Sequence, residues 1–314
     1  MNRLININWS IGKSGNWSII KERGALKMDF SIKENILVDK LIEQALLEDI
    51  GTGDITTESI IPSKLKAKGI IKTSEEGVVA GLDVACLVFQ KLDSEIIFQE
   101  KIKDGTKVAR DKVLAEITGP ARTILKGERV ALNFLQRMSG IATITSKFCQ
   151  EVKDLPVRIV DTRKTTPGLR MLEKYAVRMG GGHNHRFGLY DAVLIKDNHI
   201  AVAGGIKSAV NSVRKKISHT VKIEVEVENL SQLQETLEMK VDIVMLDNMN
   251  LDTMIEAVKM VKGKALIEAS GGITLKNVRE IAQTGVGLIS VGALTHSVKS
   301  LDISMEIKNV SRIS

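Results

Sequence analysis

Residues 222–248 read K-I-E-V-E-V-E-N-L-S-Q-L-Q-E-T-L-E-M-K-V-D-I-V-M-L-D-N, and this stretch decides the fold class. Its two apolar runs, at 222–227 and 242–246, have the length of strands, and the segment between them has the apolar spacing of a helix. A strand, a helix and a second strand in succession favour parallel pairing, because parallel strands need a long crossover connection. The stretch therefore predicts one unit of a parallel α/β sheet.

The same unit recurs through the second half of the chain. Each short apolar strand is followed by polar or glycine residues and then by a helical pattern. The six strands are expected at 158–160, 192–195, 222–227, 242–246, 265–269 and 288–291. Chemistry collected from many strand ends is typical of barrel enzymes, whereas an open sheet concentrates it at one switch point. We therefore predict an α/β fold whose second half is an incomplete, six-stranded α/β barrel.

The first half of the chain has a different pattern. A helix is predicted to begin with Ser31 as its N-cap and to stop before Gly51. A long helix is predicted from Ala121 to a break at Ser139-Gly140. Between them, β-rich segments are expected at 67–72, 77–80, 95–102 and 113–117, with a helix at 83–91. These features predict a mixed α/β domain.

Length and composition limit the class of protein. The chain has 314 residues, 43% of them hydrophobic, which is enough for one large barrel or two ordinary domains with a sizeable core. No apolar run is long enough to cross a membrane and no signal peptide is evident, so we expect a soluble, cytoplasmic protein with no membrane partner. Cys86 and Cys149 stand in apolar contexts without metal-ligand or redox spacing. Buried thiols are therefore expected.

The net charge of +7 is unevenly distributed. Residues 1–27 carry +4 of it, together with both tryptophans, and they show neither a helical nor a strand period. This segment is either a basic arm or upstream sequence from too early a start, with Met28 as the natural initiator, and we favour the second interpretation. Aromatic residues make up 3% of the chain, too few to interleave with cations as stacking platforms, so no nucleic-acid partner is expected.

The segment 161–200 holds an unusual group of cations. Seven Lys and Arg residues stand there against four Asp and Glu residues. The important ones follow expected strand ends or the glycine run at 180–182, and they are Arg163, Lys164, Arg186 and Lys196, with His185 beside them. Removing a dianion from water costs several kcal/mol per charge. One cation 4 Å from an anion contributes about 4 kcal/mol at an effective dielectric constant of 20, so several cations are needed to offset that cost. The pattern predicts a pocket for a small, multiply negative ligand.

Two carboxylates, Glu226 and Asp247, also lie at expected strand ends. Glu224, Glu226 and Glu228 share one face of their strand, because side chains alternate along a strand. These acids either pair with the nearby cations or bind ribose hydroxyls or Mg²⁺, which takes one or two carboxylates together with substrate phosphates. The residues alone leave both interpretations open.

Glycines end the last two strands, in Ser270-Gly271-Gly272 and in Gly292-Ala293, and each group is expected to lead into a helix. Backbone N–H groups at a helix N-terminus bind anions, and barrels often bind phosphate after their last two strands. Together the two groups predict a phosphate site. The histidines lack zinc-like spacing, so no structural zinc site is expected.

These motifs resemble those of the quinolinate phosphoribosyltransferase family, also called nicotinate-nucleotide pyrophosphorylase (carboxylating). The resemblance covers roughly residues 30–309. It rests on D-T-R-K-T-T-P-G-L-R (161–170), G-G-G-H-N-H-R-F-G-L (180–189), L-I-K-D-N-H-I (194–200), E-A-S-G-G-I (268–273), S-V-G-A-L-T-H-S (290–297) and, upstream, A-L-L-E-D-I-G-T-G-D-I-T-T (45–57).

The resemblance implies a reaction in which quinolinate and phosphoribosyl pyrophosphate give nicotinate mononucleotide, pyrophosphate and carbon dioxide, with Mg²⁺, in de novo NAD biosynthesis. The alternative is a paralogous phosphoribosyltransferase acting on another heterocyclic acid. The implied fold is an N-terminal α/β sandwich followed by an incomplete barrel, in a homodimer or higher oligomer. The expected divisions are the extension 1–27, the sandwich 28–138, the barrel 139–296 and a segment 297–314 that returns to the N-terminal domain.

The resemblance also implies roles for individual residues. Lys164, Lys196, Glu226 and Asp247 are the expected catalytic residues, and Glu226 and Asp247 are also the possible Mg²⁺ ligands. Arg129 is expected to reach the site of the neighbouring subunit. The expected substrate-binding residues are Arg129, Thr162, Arg163, Lys164, His185, Arg186, Lys196, Glu226, Asp247, Ser270, Gly271, Gly272, Gly292 and Ala293.

Overall fold

The computed structural model describes residues 19–22, 25–28, 32 and 35–312. The interpretation of residues 1–27 as an extension lies largely outside this part of the chain. The elements of the first half are β1 (Ile19–Glu22), β2 (Ala25–Met28), α1 (Ile36–Ile50), α2 (Ile55–Ile60), β3 (Leu65–Thr73), β4 (Gly77–Val78), α3 (Leu82–Leu92), β5 (Ile97–Glu100), β6 (Lys107–Val108), β7 (Val113–Pro120) and α4 (Ala121–Glu151).

The second half alternates strands with helices, as the apolar runs predict. Its elements are β8 (Arg158–Val160), α5 (Arg170–Met179), β9 (Val193–Ile195), α6 (Asp197–Ala203), α7 (Ile206–Arg214), β10 (Ile223–Val227), α8 (Leu230–Glu238), β11 (Ile243–Asp247), α9 (Leu251–Val261), β12 (Leu266–Ser270), α10 (Val278–Gln283), β13 (Leu288–Ser290), α11 (Ala293–His296) and β14 (Ile303–Arg312).

Six parallel strands form the sheet of the second half, in the order β8-β13-β12-β11-β10-β9. This is the cyclic order of a barrel in which the pairing between β8 and β9 is missing. On the β8 side, the backbone of His183 donates to the carbonyl of Ile159 at 2.9 Å and accepts from the N–H of Asp161 at 3.1 Å. The predicted incomplete α/β barrel is therefore confirmed, with its opening between the first two strands.

All five residues of β10 are buried. Its alternation places Glu224 and Glu226 on the inner face of the barrel, while Ile223, Val225 and Val227 lie on the opposite face. A central strand covered on both faces is expected in a parallel sheet, because helices pack on its outside. The two glutamates therefore face the centre of the barrel.

The first half contains a four-stranded antiparallel sheet in the order β14-β3-β7-β5. Burial alternates along β3, so that Ile71 and Thr73 face the core while Lys68 and Lys72 lie on the outer face. The C-terminal strand β14 pairs antiparallel with β3. The chain thus returns after the barrel to complete the sheet with which it began.

Helix α4 connects the two halves, and its predicted end was wrong. The helix continues through Ser139 and Gly140 to Glu151, so the expected boundary between residues 138 and 139 falls inside it. Ser139 Oγ accepts a hydrogen bond from the N–H of Ala80 at 3.1 Å. A Cβ at position 140 would lie 2.3 Å from the carbonyl oxygen of Lys299. The small residues therefore allow close packing against other segments and do not end the helix.

The predicted start of the first helix was also wrong. Ser31 lies outside the described residues, and α1 begins only at Ile36, where Asn35 Oδ1 accepts the N–H of Leu37 at 2.9 Å. Ser and Asn are both favoured N-caps, so local preference alone does not decide which residue begins the helix. Among the described residues, we find no helix with the length and apolar character needed to cross a bilayer.

Candidate active site

A cavity of about 800 Å³ lies at the carboxyl ends of the barrel strands. Thirteen of the fourteen expected substrate-binding residues line it. They are Thr162, Arg163, Lys164, His185, Arg186, Lys196, Glu226, Asp247, Ser270, Gly271, Gly272, Gly292 and Ala293. The fourteenth, Arg129, is exposed on α4 and does not line this cavity.

Lys164 lies in the loop after β8, and hydrogen bonds fix its backbone. Its N–H donates to Thr162 Oγ1 at 3.0 Å, and its carbonyl accepts from Thr295 Oγ1 at 2.8 Å. Its side chain passes close to Gly292, where a Cβ would lie 3.2 Å from Lys164 Cδ. The charged end is thereby held between two strand-end loops, in reach of an anion in the cavity.

Arg186 lies across the opening of the barrel. Its Nη1 donates to the carbonyl of Ala192, just before β9, at 3.2 Å. Burial and the neighbouring positive charge of Arg163 lower the pKa of Arg186. A guanidinium remains charged in proteins despite such a shift, so the site keeps two adjacent arginine charges that favour an anionic ligand.

The acids engage nearby donors, but each keeps free acceptor capacity. Glu226 Oε2 accepts from Lys196 Nζ at 2.5 Å, and Asp247 Oδ2 accepts from Asn248 Nδ2 at 3.0 Å. Each carboxylate has a second oxygen, and the two residues end neighbouring strands. Two carboxylate side chains that line one cavity suit Mg²⁺, which takes one or two carboxylates and completes its shell with water and substrate phosphates. Ion pairing and metal binding are thus compatible at this position.

The glycine loops differ from the prediction in one respect. No helix begins directly after Gly272, since α10 starts only at Val278. Gly271 and Gly272 instead have φ angles of 93° and 62°, a left-handed conformation that favours glycine. A Cβ on Gly271 would lie 2.1 Å from Asn248 Oδ1. Gly292 does directly precede α11, a helix of four residues.

His185 has both ring nitrogens engaged by the protein. Nδ1 accepts the backbone N–H of Arg186 at 2.7 Å, while Nε2 lies 3.0 Å from Glu224 Oε2 and 3.5 Å from Glu268 Oε2. Burial lowers the pKa of His185, but the two carboxyl groups raise it by more. The Arg186 N–H nevertheless occupies the lone pair that protonation of Nδ1 would need. We therefore assign a neutral ring that donates from Nε2 toward Glu224.

Glu268 lies beneath His185 and was not found from the sequence. It is fully buried, and neither of its carboxyl oxygens has a hydrogen-bond partner among the described residues. Burial, followed by the charge of Glu224, raises the pKa of Glu268 to about 8. The group is therefore protonated at neutral pH. The sequence does contain a feature that locates Glu268. It stands two residues before Ser270, so the two side chains share one face of β12.

His185, Glu224 and Glu268 also have the geometry of a metal-ligand set, since one ligand atom from each lies within 4.8 Å of the others. They come from three separate segments, which is why linear spacing gave no sign of them. A shared proton and a cation are alternative ways to relieve the repulsion between the two carboxylates. The raised pKa of Glu268 favours the proton.

Several further residues complete the cavity. Asn248 follows Asp247 directly, and His296 lies one turn beyond Gly292 in the quoted S-V-G-A-L-T-H-S motif. The other lining residues not named from the sequence are Leu194, Met245, Glu268, Ile273, Thr274 and Ser290. Most of them lie within two residues of a strand end, so the strand pattern contained the signal that locates them.

Comparison with known proteins identifies this combination of fold and site. The model of the quinolinate phosphoribosyl transferase N-terminal domain matches residues 54–139, and that of the C-terminal domain matches residues 141–306. The chain is 48% identical over 273 residues to the probable nicotinate-nucleotide pyrophosphorylase (carboxylating) of Bacillus subtilis, covering 87% of this chain and 94% of the relative.

A tobacco protein and a bacterial crystal structure show the same family relationship. Quinolinate phosphoribosyltransferase (decarboxylating) 1b of Nicotiana tabacum is 42% identical over 286 residues, covering 85% of this chain and 81% of the relative. The crystal structure of nicotinate-nucleotide pyrophosphorylase from Ehrlichia chaffeensis superposes with a TM-score of 0.84 at 42% identity, covering 90% of this chain and all of that one. Both domain models match, and the chain covers at least 81% of each of these relatives, so it belongs to the quinolinate phosphoribosyltransferase family.

Proposed function

We propose that the protein transfers the phosphoribosyl group of phosphoribosyl pyrophosphate to quinolinate, with loss of carbon dioxide, to give nicotinate mononucleotide and pyrophosphate. One observation carries this proposal. The barrel brings the cations of the 161–200 segment, the acids Glu226 and Asp247 and both glycine loops into one cavity. A dicarboxylate held by the cations would thus share one cavity with a phosphorylated sugar bound at the glycine loops.

The first chemical step needs orientation more than proton transfer. The ring nitrogen of quinolinate attacks the anomeric carbon with its own lone pair, and the bond from that carbon to pyrophosphate breaks. Because this nitrogen carries no proton to lose, no general base is required. Arg163, Lys164 and Arg186 hold the two carboxylates, and arginine forks fix the plane of such groups. Glu226 lines the same cavity, and its negative charge would stabilise the positive charge that develops on the ribose.

The second step follows from the first. Once ribosylated, the ring nitrogen is positively charged and stabilises the electron pair that remains on the adjacent carbon when carbon dioxide departs. A proton from solvent then replaces the lost carboxyl group. Mg²⁺, held by Glu226 and Asp247 together with substrate oxygens, would supply charge neutralisation for the pyrophosphate. Lys196, paired with Glu226, holds that carboxylate in place.

Completion of the site by a second subunit is part of the proposal. Arg129 is exposed and lies outside the cavity of its own chain. In a homodimer whose N-terminal sheet covers the barrel of its partner, Arg129 would add a cation to the partner's cavity. We place the reaction in the cytoplasm, which fits the burial of the thiol at Cys86 and the raised pKa, about 11, that burial gives to Cys149.

A carbon dioxide release assay tests the function directly. Purified protein is incubated with Mg²⁺, phosphoribosyl pyrophosphate and quinolinate labelled in the carboxyl group at position 2. Release that requires both substrates is expected, with nicotinate mononucleotide as the product. Nicotinate is the matched control, because it lacks one of the two carboxylates. Faster reaction with nicotinate than with quinolinate would overturn the proposal in favour of a paralogous activity.

A further inference from the structure

Helix α5 buries two adjacent, oppositely charged residues. Glu173 is 1% exposed and Lys174 is 3% exposed. Side chains of these types are rarely buried unless they are paired. Neither belongs to the described lining of the cavity, although the helix that carries them follows the cationic loop directly. The hydrogen-bond partners of Glu173 and Lys174 indicate the role of each side chain.

Glu173 is bonded to the loop that carries Arg163 and Lys164. Its Oε1 accepts from Arg137 Nε at 2.9 Å, and its Oε2 accepts from the backbone N–H of Thr166 at 3.2 Å. Arg137 Nη2 also donates to Thr166 Oγ1 at 2.6 Å and to the carbonyl of Thr295 at 3.3 Å. One ion pair thereby fixes the cationic loop after β8 to helices α4, α5 and α11.

Lys174 is bonded to the other cationic loop. Its Nζ donates to Asp161 Oδ1 and, at 3.0 Å, to the carbonyl of His185. Asp161 Oδ1 also accepts the N–H of His185 at 2.9 Å, and Asp161 Oδ2 accepts from Asn184 Nδ2 at 2.6 Å. Both backbone polar groups of His185 are therefore held by one buried ion pair, immediately before Arg186.

Stability alone does not account for this arrangement. Burial raises the pKa of Asp161 and lowers that of Lys174, and their mutual attraction opposes both shifts. A buried ion pair is often no more stabilising than a well-packed apolar pair, because desolvation offsets the attraction. Charged groups do, however, fix direction, since each hydrogen bond has a required geometry. The two pairs therefore determine geometry more than they add stability.

We propose that Glu173 and Lys174 are positioning residues of the catalytic cavity, each fixing one of its two cationic loops. Glu173, through Arg137, fixes residues 163–166, and Lys174, through Asp161, fixes residues 183–186. The kinetic part of this inference rests on the proposed function, whereas the structural part does not. Two adjacent residues of one helix thus set the relative position of the groups that hold the two carboxylates.

Amide hydrogen exchange tests the structural part. Glu173→Gln and Lys174→Met keep the side-chain volume and each remove one charge. We expect exchange at 163–166 to rise by about tenfold or more in Glu173→Gln, and exchange at 183–186 to rise similarly in Lys174→Met, as loss of a charge-assisted hydrogen bond predicts. Equal effects on both loops in each variant, or none, would overturn the proposal.

Paired substitutions keep the test valid if a single variant does not fold. Asp161→Asn with Lys174→Met, and Arg137→Met with Glu173→Gln, leave no buried charge without a partner. Each pair is expected to loosen its own loop only. Phe89→Leu is the matched control, because it removes volume from the N-terminal core without touching either loop. Exchange in both loops should be unchanged in this control.

Kinetics supply the second readout. Each positioning variant is expected to raise the KM for quinolinate about tenfold and to change the KM for phosphoribosyl pyrophosphate less than twofold. A merely structural role would lower the folded fraction, and with it the apparent kcat, while leaving both KM values unchanged. Absence of carbon dioxide release in the unsubstituted protein would reject the proposed function, and the exchange pattern would still decide the positioning role.

Discussion

On the antiparallel sheet, Lys68 and Lys101 both pair with Glu116, at 3.1 and 2.7 Å, on a face that water reaches. In the barrel, Asp161 pairs with Lys174 where neither side chain is more than 3% exposed. Both are pairs of a lysine with a carboxylate, and the environments are opposite. Exposed pairs are screened by water and exchange partners readily, whereas a buried pair has one arrangement. The buried pair holds a loop beside the cavity, at 183–186, through the backbone of His185.

The largest effect is expected from the charges in the cavity itself. Lys164→Ala and Arg186→Ala should each lower kcat/KM for quinolinate by about 100-fold or more, because each removes a charge-assisted contact worth about 3 kcal/mol. The unfolding midpoint should change little, since neither side chain belongs to the core. Steady-state carbon dioxide release and thermal unfolding are the measurements. Near-normal kinetics in both variants would contradict the assigned roles.

A substitution between the two halves should have the next largest effect. Gly140→Ala places a methyl group 2.3 Å from the carbonyl oxygen of Lys299, so helix α4 and the segment leading to β14 must separate. Overpacking of this kind costs about 1–3 kcal/mol, despite the better helix propensity of alanine. Chemical denaturation measures the loss. Gln150→Ala, on an exposed turn of the same helix, is the control, and an equal change there would show that packing at position 140 is unimportant.

The buried acid of the barrel should make stability depend on pH. The pKa of Glu268 is about 8 in the folded protein against a reference of 4.5, so between these values the folded state binds a proton that the unfolded state has lost. Stability from this group therefore falls as pH rises from 4.5 to 8, by up to about 1.4 kcal/mol per pH unit. Glu268→Gln removes the titration.

The stability of Glu268→Gln relative to the parent protein should thus increase with pH across this window and become constant above it. Unfolding midpoints at pH 5, 6, 7, 8 and 9 provide the comparison. Parallel curves would show that Glu268 is ionised in the folded state or is paired with a cation.

The smallest effect is expected on the antiparallel sheet. Lys101→Met removes one of the two lysines that pair with Glu116, and Lys68 remains to pair with it. Because water solvates this face, the unfolding midpoint and the kinetic constants should both stay within experimental error. Added salt should make no difference between the variant and the parent protein. A clear loss of stability would show that the outer face is less solvated than its exposure indicates.

The parallel sheet could be predicted from the sequence almost to the residue. Its strands are continuous apolar runs with both faces covered, as in β10, and such runs stand out from the helices between them. The cavity followed from the same pattern, because every parallel strand delivers its next residue to the same edge of the barrel. Lys164 and Asp247 were identified in this way, from their position after an expected strand more than from their residue type.

What the sequence did not reveal depends on contacts between distant segments. Ser139-Gly140 is a residue pair typical of a helix end. Only the close approach of Lys299 shows that it is a packing site within the helix. The neutral state assigned to His185 depends on the backbone N–H of Arg186, and the two glutamates near its Nε2 come from separate strands. Local propensity contains no information about such partners, since burial of a polar group is decided by the tertiary structure.

The opening of the barrel between β8 and β9 also limits how this protein can change. His183 supplies the missing pairing on one side, and Arg186 reaches the carbonyl of Ala192 on the other. The segment 183–186 therefore lies along a sheet edge and also places His185 and Arg186 in the cavity. An insertion of a single residue between His183 and Arg186 would move the guanidinium and leave a strand edge available to another chain. Loss of activity and self-association would then arise from one event.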